Sequence, residues 1–387
     1  MSDPQDRSIG LQLASFSLIR TIINTGFRLV YPFLPTLARG VGVSLEQIAN
    51  AVTARSLLGL LGPVIGSAGD TFGRRKAMLA GMVLFSASMI PVVLWPTYWT
   101  LFLAIVLGAA GKIIFDPAMQ AYLGDSVPYQ RRAQAIAITE LGWSGASLLG
   151  LPLAGWLIAR SGWVSPFYVL IALSLAACLA LWRILPADGK REEDHVNLSG
   201  ALRIISRHPS ALAGLAISLL ISASNETVNI IYGAWMENSF GLAAAALGGT
   251  AAVIGVAELG GEGMVAVFSD RIGKRTTVGL GLIAVLLTCL ALPFLGTTLT
   301  GSLIGLFVFF ISFEFTFVTT IPLLTELVPD ARATLMAANI TAAASGRALG
   351  ALIGPRLFPL GILANGLTAA GLAFMGLIIL FFFLKVD

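Results

Sequence analysis

Apolar residues run along this chain in long unbroken stretches. "LFLAIVLGAAG" and "LFVFFISFEFTFV" show none of the period-two alternation of a membrane β-strand. Divided at its glycines, prolines and charge clusters, the pattern predicts twelve helical spans. They cover 10–38, 45–68, 77–95, 98–124, 133–159, 164–185, 209–238, 243–268, 276–295, 300–327, 333–356 and 363–385. A bilayer crossing needs about 20 apolar residues, and a helix satisfies its own backbone hydrogen bonds where lipid cannot. Connections are short except at 186–208, which is polar and of mixed charge. That stretch holds His195 and His208 and is expected to be a solvated linker, with a short amphipathic helix in its second part. The predicted organisation is an N-terminal six-helix bundle over 1–185, a cytoplasmic linker over 186–208 and a C-terminal six-helix bundle over 209–387.

Composition agrees with a lipid solvent. Of 387 residues 57% are hydrophobic and only 11% charged, where a soluble protein carries about 25% charged residues. The opening "MSDPQDRS" is polar and acidic, so no cleavable signal peptide is expected and the first helix serves as its own insertion signal. With the N-terminus in the cytoplasm, sixteen of the 24 Lys and Arg residues fall on the cytoplasmic side. Only Arg39, Arg160 and Arg356 fall opposite, and five lie inside helices. The expectation is a multi-pass protein of the plasma (inner) membrane with both termini cytoplasmic. The net charge of +4 follows from this topology and does not point to nucleic acid. Cys178 and Cys289 sit in apolar helices and are read as small buried residues, not as a disulfide or metal site. Catalytic residues, metals and cofactors are not expected, because neither triad nor metal-ligand spacing is present and nothing resembles a nucleotide-binding loop.

Charge is rare, yet it gathers twice. "GDTFGRRKAM" begins at Gly69 and "SDRIGKRTTV" at Ser269. Asp70 and Asp270, Gly73 and Gly273, and Arg75 and Arg275 all stand 200 residues apart. "DSVPYQRRA" from Asp125 and "ELVPDARAT" from Glu326 repeat at an offset of 201, as do Ser144-Gly145 and Ser345-Gly346. A fixed-period echo of this kind marks two related halves. At these residues the chain resembles the major facilitator superfamily, whose loop between helices 2 and 3 reads Gly-x-x-x-Asp-Arg-x-Gly-Arg-Arg/Lys. Gly66, Asp70, Gly73, Arg74 and Arg75 match, with Thr71 in place of Arg. In the second half Asp270, Arg271, Gly273, Lys274 and Arg275 match, with Ala266 in place of the leading Gly. The resemblance implies an all-α integral membrane protein of twelve transmembrane helices in two pseudo-symmetric six-helix bundles. The chemistry of the loops is that of a latch. Gly73 permits a tight turn, Asp70 can face a helix N-terminus, Arg74 or Arg75 can reach Asp125, and Lys274 or Arg275 can reach Glu326.

Ionisable residues within the spans mark functional positions by default. Arg20, Asn24 and Arg28 recur every four residues and share one helical face. Lys112 and Asp116 are also four apart, and either pair with each other or meet a solute. Asn225, Glu226, Asn229 and Tyr232 follow in the seventh span, and Glu314 lies among phenylalanines in the tenth. Arg55 and Arg347 are available to neutralise Glu258, Glu262 or Glu140 between neighbouring helices. Gly346, Gly350 and Gly354 give the eleventh span a flat face for close contact. In the family, helices 1, 4, 7 and 10 line a central cavity, which makes the first nine of these polar residues the candidate solute contacts. Glu314, Glu226 and Asp116 are the candidate proton carriers, because a carboxyl among apolar groups loses the hydration that stabilises its charge. The resemblance implies a secondary active transporter working by alternating access, with small-molecule solute, protons and lipid bilayer as partners and a monomer as its state. The first expectation is proton-coupled export of a small organic or amphiphilic solute. An anionic metabolite or a lipid-like substrate is the alternative.

Overall fold

The computed structural model describes residues 4–62, 73–186, 188, 207–328 and 332–384, and all its regular structure is helical. The helices occupy the twelve places that the apolar pattern marks. The first place holds α1 (Pro4–Arg28) and α2 (Val30–Val41), and the second holds α3 (Leu45–Leu57) with one 3₁₀ turn, Leu58–Leu61. Then come α4 (Arg74–Leu94) and α5 (Tyr98–Ser126). The fifth place holds α6 (Tyr129–Gly145), a π-helical turn (Ala146–Gly150) and α7 (Leu151–Ser161), and the sixth holds α8 (Ser165–Ile184). The seventh is again divided, into α9 (Pro209–Asn229) and α10 (Tyr232–Phe240). Next are α11 (Ala244–Ile272), α12 (Lys274–Leu295), α13 (Leu299–Leu327), α14 (Arg332–Leu357) and α15 (Ile362–Phe382).

Among the described residues nine helical segments are long and apolar enough to cross a membrane. The first place is not one of them, since Arg20, Asn24 and Arg28 dilute its apolar run. Large apolar side chains such as Leu149, Phe294 and Phe381 are exposed, as suits a surface facing lipid. The expected linker helix lies outside the described residues, and so do His195, Asp70 and residues 63–68 of the second span.

The first and seventh places break at matching points. Leu29 joins α1 to α2, and Ile230, 201 residues later, follows the end of α9. Pro32 explains the first break. It has no N–H for the Arg28 carbonyl, and its ring crowds that carbonyl. Phe33 is correspondingly non-helical, at φ −106°, ψ 16°. The second break has no proline, and we have no local account of it.

By contact the chain forms two compact units. One comprises Met1–Ser44, Leu61–Asp194 and Ala243–Ala252, the other Leu45–Leu60, His195–Leu242 and Val253–Asp387. Each is built by the same pairings. In the first unit α4 packs on α5 and α8, and α1 on α6 and α8. In the second α12 packs on α13 and α15, and α9 on α14 and α15.

Glycines set the closeness of these contacts. A Cβ on Gly81 would lie 2.6 Å from the Gly111 carbonyl oxygen, so α4 and α5 cross backbone to backbone. On the repeat-related Gly281 a Cβ would collide with Thr316 of α13. Gly142, Gly145 and Gly150 receive α1 at Arg20, Thr21 and Thr25. The expected flat face of the eleventh span is present: Gly346, Gly350 and Gly354 receive α9 at Leu219, Ala223 and Thr227.

Candidate functional site

In the first unit three helices bring their polar residues together. The α1 stripe meets α5 and α6 in one buried ionic cluster. Asp116 is its centre. Lys112 Nζ donates to Asp116 Oδ2 at 2.6 Å and to Asn24 Oδ1 at 2.6 Å. Arg20 lies 3.5 Å from Asp116 Oδ1 and 2.6 Å from Glu140 Oε1. Arg20 and Asn24 are buried, while Glu140 is 38% exposed by side chain and gives the cluster its polar edge. Of the two alternatives left open for α5, the Lys112–Asp116 pairing is present, and residues from α1 and α6 extend it. Desolvating one charge alone would cost several kcal/mol, a penalty that the opposite charges within reach here offset.

Arg28, one turn beyond Asn24, lies over the Trp143 ring at 4.6 Å from the centroid. Lys112 Nζ is 5.7 Å from the same ring and 5.8 Å from that of Phe27. Both cations thus face aromatic π-clouds, and Lys112 faces the Asp116 carboxylate as well. Trp143 and Phe27 are partly exposed beside these buried groups. Sequence reasoning missed both aromatics. Phe27 adjoins the charged stripe in sequence, but nothing along the chain joins Trp143 to it. The contact follows from α1 riding on Gly142 and Gly145, which places Trp143 beside the stripe.

In the second unit the predicted residues lie on several helices. Asn225 and Glu226 are buried on α9, and Tyr232 is buried at the start of α10. Asn229, the last residue of α9, is half-buried. Glu226 backs onto α14, since a Cβ on Gly350 would lie 2.7 Å from its own. Glu314 is buried where α13 crosses α11: a Cβ on Gly261 would meet Glu314 Cβ at 2.6 Å. Its neighbours Phe313 and Phe317 stack on each other along the helix, with centroids 5.5 Å apart. Glu258 and Arg55, the latter on α3, are also buried in this unit. Glu140, one of the acids weighed as a partner for Arg55 or Arg347, is held by Arg20.

The charged loops are built alike in both units. Gly73 (φ +98°, ψ 149°) and Gly273 (φ +84°, ψ 136°) each precede a helix in a backbone region that only glycine enters readily. Of each basic pair, the first member takes the acid. Arg74 Nε is 3.5 Å from Asp125 Oδ2, and Lys274 Nζ pairs with Glu326. The second member caps a neighbouring helix end. Arg75 donates to the Trp182 carbonyl near the end of α8, and Arg275 to the Leu380 and Phe381 carbonyls of α15, both at 3.2 Å. Sequence reasoning left open which base takes the acid, and it missed the carbonyl contacts entirely. It also missed Asp188, which accepts from the Arg75 and Lys76 N–H groups at 2.8 and 3.1 Å. Asp70 and the side chain of Asp270 lie outside the described residues.

The free cysteines are not alike: Cys289 is buried, as expected, but Cys178 is only half-buried.

A helical chain with buried ion pairs inside its spans and paired basic loops has the character of a membrane transporter. Residues 16–351 match the profile of the Major Facilitator Superfamily, and the chain belongs to that family. Inner membrane transport protein YdhP of Escherichia coli (strain K12) is 25% identical over 356 residues, covering 91% of this chain and 90% of that one. Multidrug resistance protein 2 of Bacillus subtilis (strain 168) is 24% identical over 352 residues, covering 87% and 86%. The fold is shared with the crystal structure of a D-xylose-proton symporter, at a TM-score of 0.76 and 16% identity over 96% of this chain and 97% of that one. It is also shared with a bacterial homolog of the human lysosomal transporter Spinster in its inward-facing, unoccupied conformation, at a TM-score of 0.75 and 16% identity over 98% and 95%.

Proposed function

We propose that this chain is a secondary active transporter that exports a small organic or amphiphilic solute in exchange for protons, by alternating access. The cluster centred on Asp116 carries the proposal. Asp116 is held between Lys112 and Arg20. A proton placed on it removes the charge that holds both cations, so protonation and rearrangement of the cluster are coupled. Glu314 and Glu226, both buried in the second unit, are the further candidate carriers. Solute contact is assigned to Arg20, Asn24, Arg28, Lys112 and Asp116 in one unit, and to Asn225, Glu226, Asn229 and Tyr232 in the other. The multidrug resistance relative supports export of organic compounds.

The loop pairs Arg74–Asp125 and Lys274–Glu326 act as latches that hold helix ends in one conformational state and part in the other. Asp70 and Asp270 belong to the same latches.

A second reading has its own support. Arg20, Arg28 and Lys112 are three cations beside two acids, Asp116 and Glu140, so an anionic solute group finds complementary charge here. Everted membrane vesicles with an imposed pH gradient test the first reading. Export in exchange for protons predicts gradient-dependent accumulation of amphiphilic dyes that nigericin abolishes and Asp116→Asn removes. Dye movement indifferent to the gradient, or unchanged in Asp116→Asn, would overturn the coupling.

A further inference from the structure

The two charged loops are repeats of each other, yet among the described residues only the first unit's helix start holds a carboxylate of the protein. In the first unit the chain leaves α8 and folds back so that Asp188 sits on the start of α4. Its two carboxylate oxygens accept from the Arg75 and Lys76 N–H groups. A Cβ on Gly73 would collide with this carboxylate. In the second unit the matching N–H groups belong to Arg275 and Thr276, at the start of α12. Among the described residues no carboxylate accepts from either, and a Cβ on Gly273 would meet nothing within 4 Å.

Space lies there instead. A hollow of about 300 Å³ is lined by Ser269, Gly273, Lys274, Thr276 and Glu326, with Glu326 held by Lys274. It shares Arg275 and Thr276 with a groove of about 680 Å³ between α12 and α15. The groove is apolar along its length, with walls of Leu280, Ile283, Phe374, Ile378 and Phe381, all exposed on the outside of the unit. A helix start that binds a carboxylate in one repeat thus opens, in the other, beside two bases and onto an apolar trough.

We propose that this groove binds an anionic phospholipid. The phosphate takes the place that Asp188 fills in the first unit, on the Arg275 and Thr276 N–H groups and beside Lys274, where the helix dipole also favours negative charge. One acyl chain lies along Ile283, Phe374 and Ile378. The continuous apolar wall selects a lipid over a free phosphate, and Arg275, whose other contacts are neutral carbonyls, favours an anionic over a zwitterionic headgroup. The basic loops face the cytoplasm by the positive-inside rule, and basic pockets between helices on that side suit acidic lipid headgroups. This site is independent of the transport reading.

Native mass spectrometry of the full chain in mild detergent tests it, with phosphatidylglycerol and phosphatidylcholine of matched chains offered equally. The wild type should retain phosphatidylglycerol at least tenfold over phosphatidylcholine. Thr276→Glu places a carboxylate at the helix start, and Ile283→Trp fills the trough. Each should bring the two lipids within twofold, with the unfolding temperature in phosphatidylcholine unchanged as the check on folding. If Thr276→Glu fails that check, Thr276→Gln with Ile283→Trp carries the comparison. Equal retention by the wild type, loss in only one of the two variants, or displacement of the lipid by inorganic phosphate overturns the head-and-tail site. So does lipid binding that emerges only in Asp270→Asn or Asp387→Asn, which would show the protein's own acid filling the place.

Discussion

Arg20 bridges Asp116 and Glu140, and its loss should be felt more than that of any single partner. Arg20→Met leaves Asp116 to Lys112 alone and removes the partner of Glu140, at a cost of about 1.5–3 kcal/mol. Glu140 is 38% exposed by side chain, so Glu140→Gln should cost about 1 kcal/mol or less. Thermal unfolding of the two variants in one detergent should show the difference, and equal shifts would contradict the cluster. The stripe itself was legible because 3.6-residue periodicity puts every fourth residue on one face. The partners of the stripe were not. Glu140 and Trp143 reach it across a helix pair, and no local pattern reports which helix lies opposite.

At the scale of elements, the glycines before α4 and α12 provide a paired test. Both occupy a backbone region that costs about 1–3 kcal/mol for other residues. Gly73→Ala also strikes Asp188, whereas Gly273→Ala meets open space. Gly73→Ala should therefore lower the unfolding temperature further than Gly273→Ala, and the reverse order would refute the Asp188 contact. Overpacking the glycine face of α14 tests the tight helix pair. Gly350→Leu should destabilise by about 1–3 kcal/mol, since its side chain would enter the backbone of α9. Helix positions were legible from apolar runs and punctuation. The break after Arg28 was not foreseen although Pro32 signals it, and the π-helical turn at Ala146–Gly150 leaves no such mark. The role of Asp188 was hidden because a linker acid carries no signal of the helix it will cap.

At the scale of the molecule, the repeat was the most legible feature. Echoes at offsets of 200 and 201 identify equivalent loops, and the two units show equivalent helix pairings. The repeat also shows where the halves have diverged. The first unit gathers Arg20, Lys112, Asp116 and Glu140 from three helices into one cluster, and the candidate acids of the second unit, Glu226 and Glu314, lie on α9 and α13. Such divergence cannot be read from the echoes, which lie in the loops and at helix ends. On the proposed reading, proton coupling rests first on the cluster of the first unit. Asp116→Asn should abolish coupling, while Glu314→Gln distinguishes a second carrier from a buried structural acid.

Proton movement driven by solute is the most direct measurement. The chain would be reconstituted into proteoliposomes enclosing pyranine, with organic cations, anions and amphiphiles added in turn outside. The account predicts that at least one solute class shifts the lumenal pH in the wild type, and that Asp116→Asn abolishes this shift while leaving the protein folded. Solute uptake with no change in lumenal pH, or an undiminished change in Asp116→Asn, would contradict it.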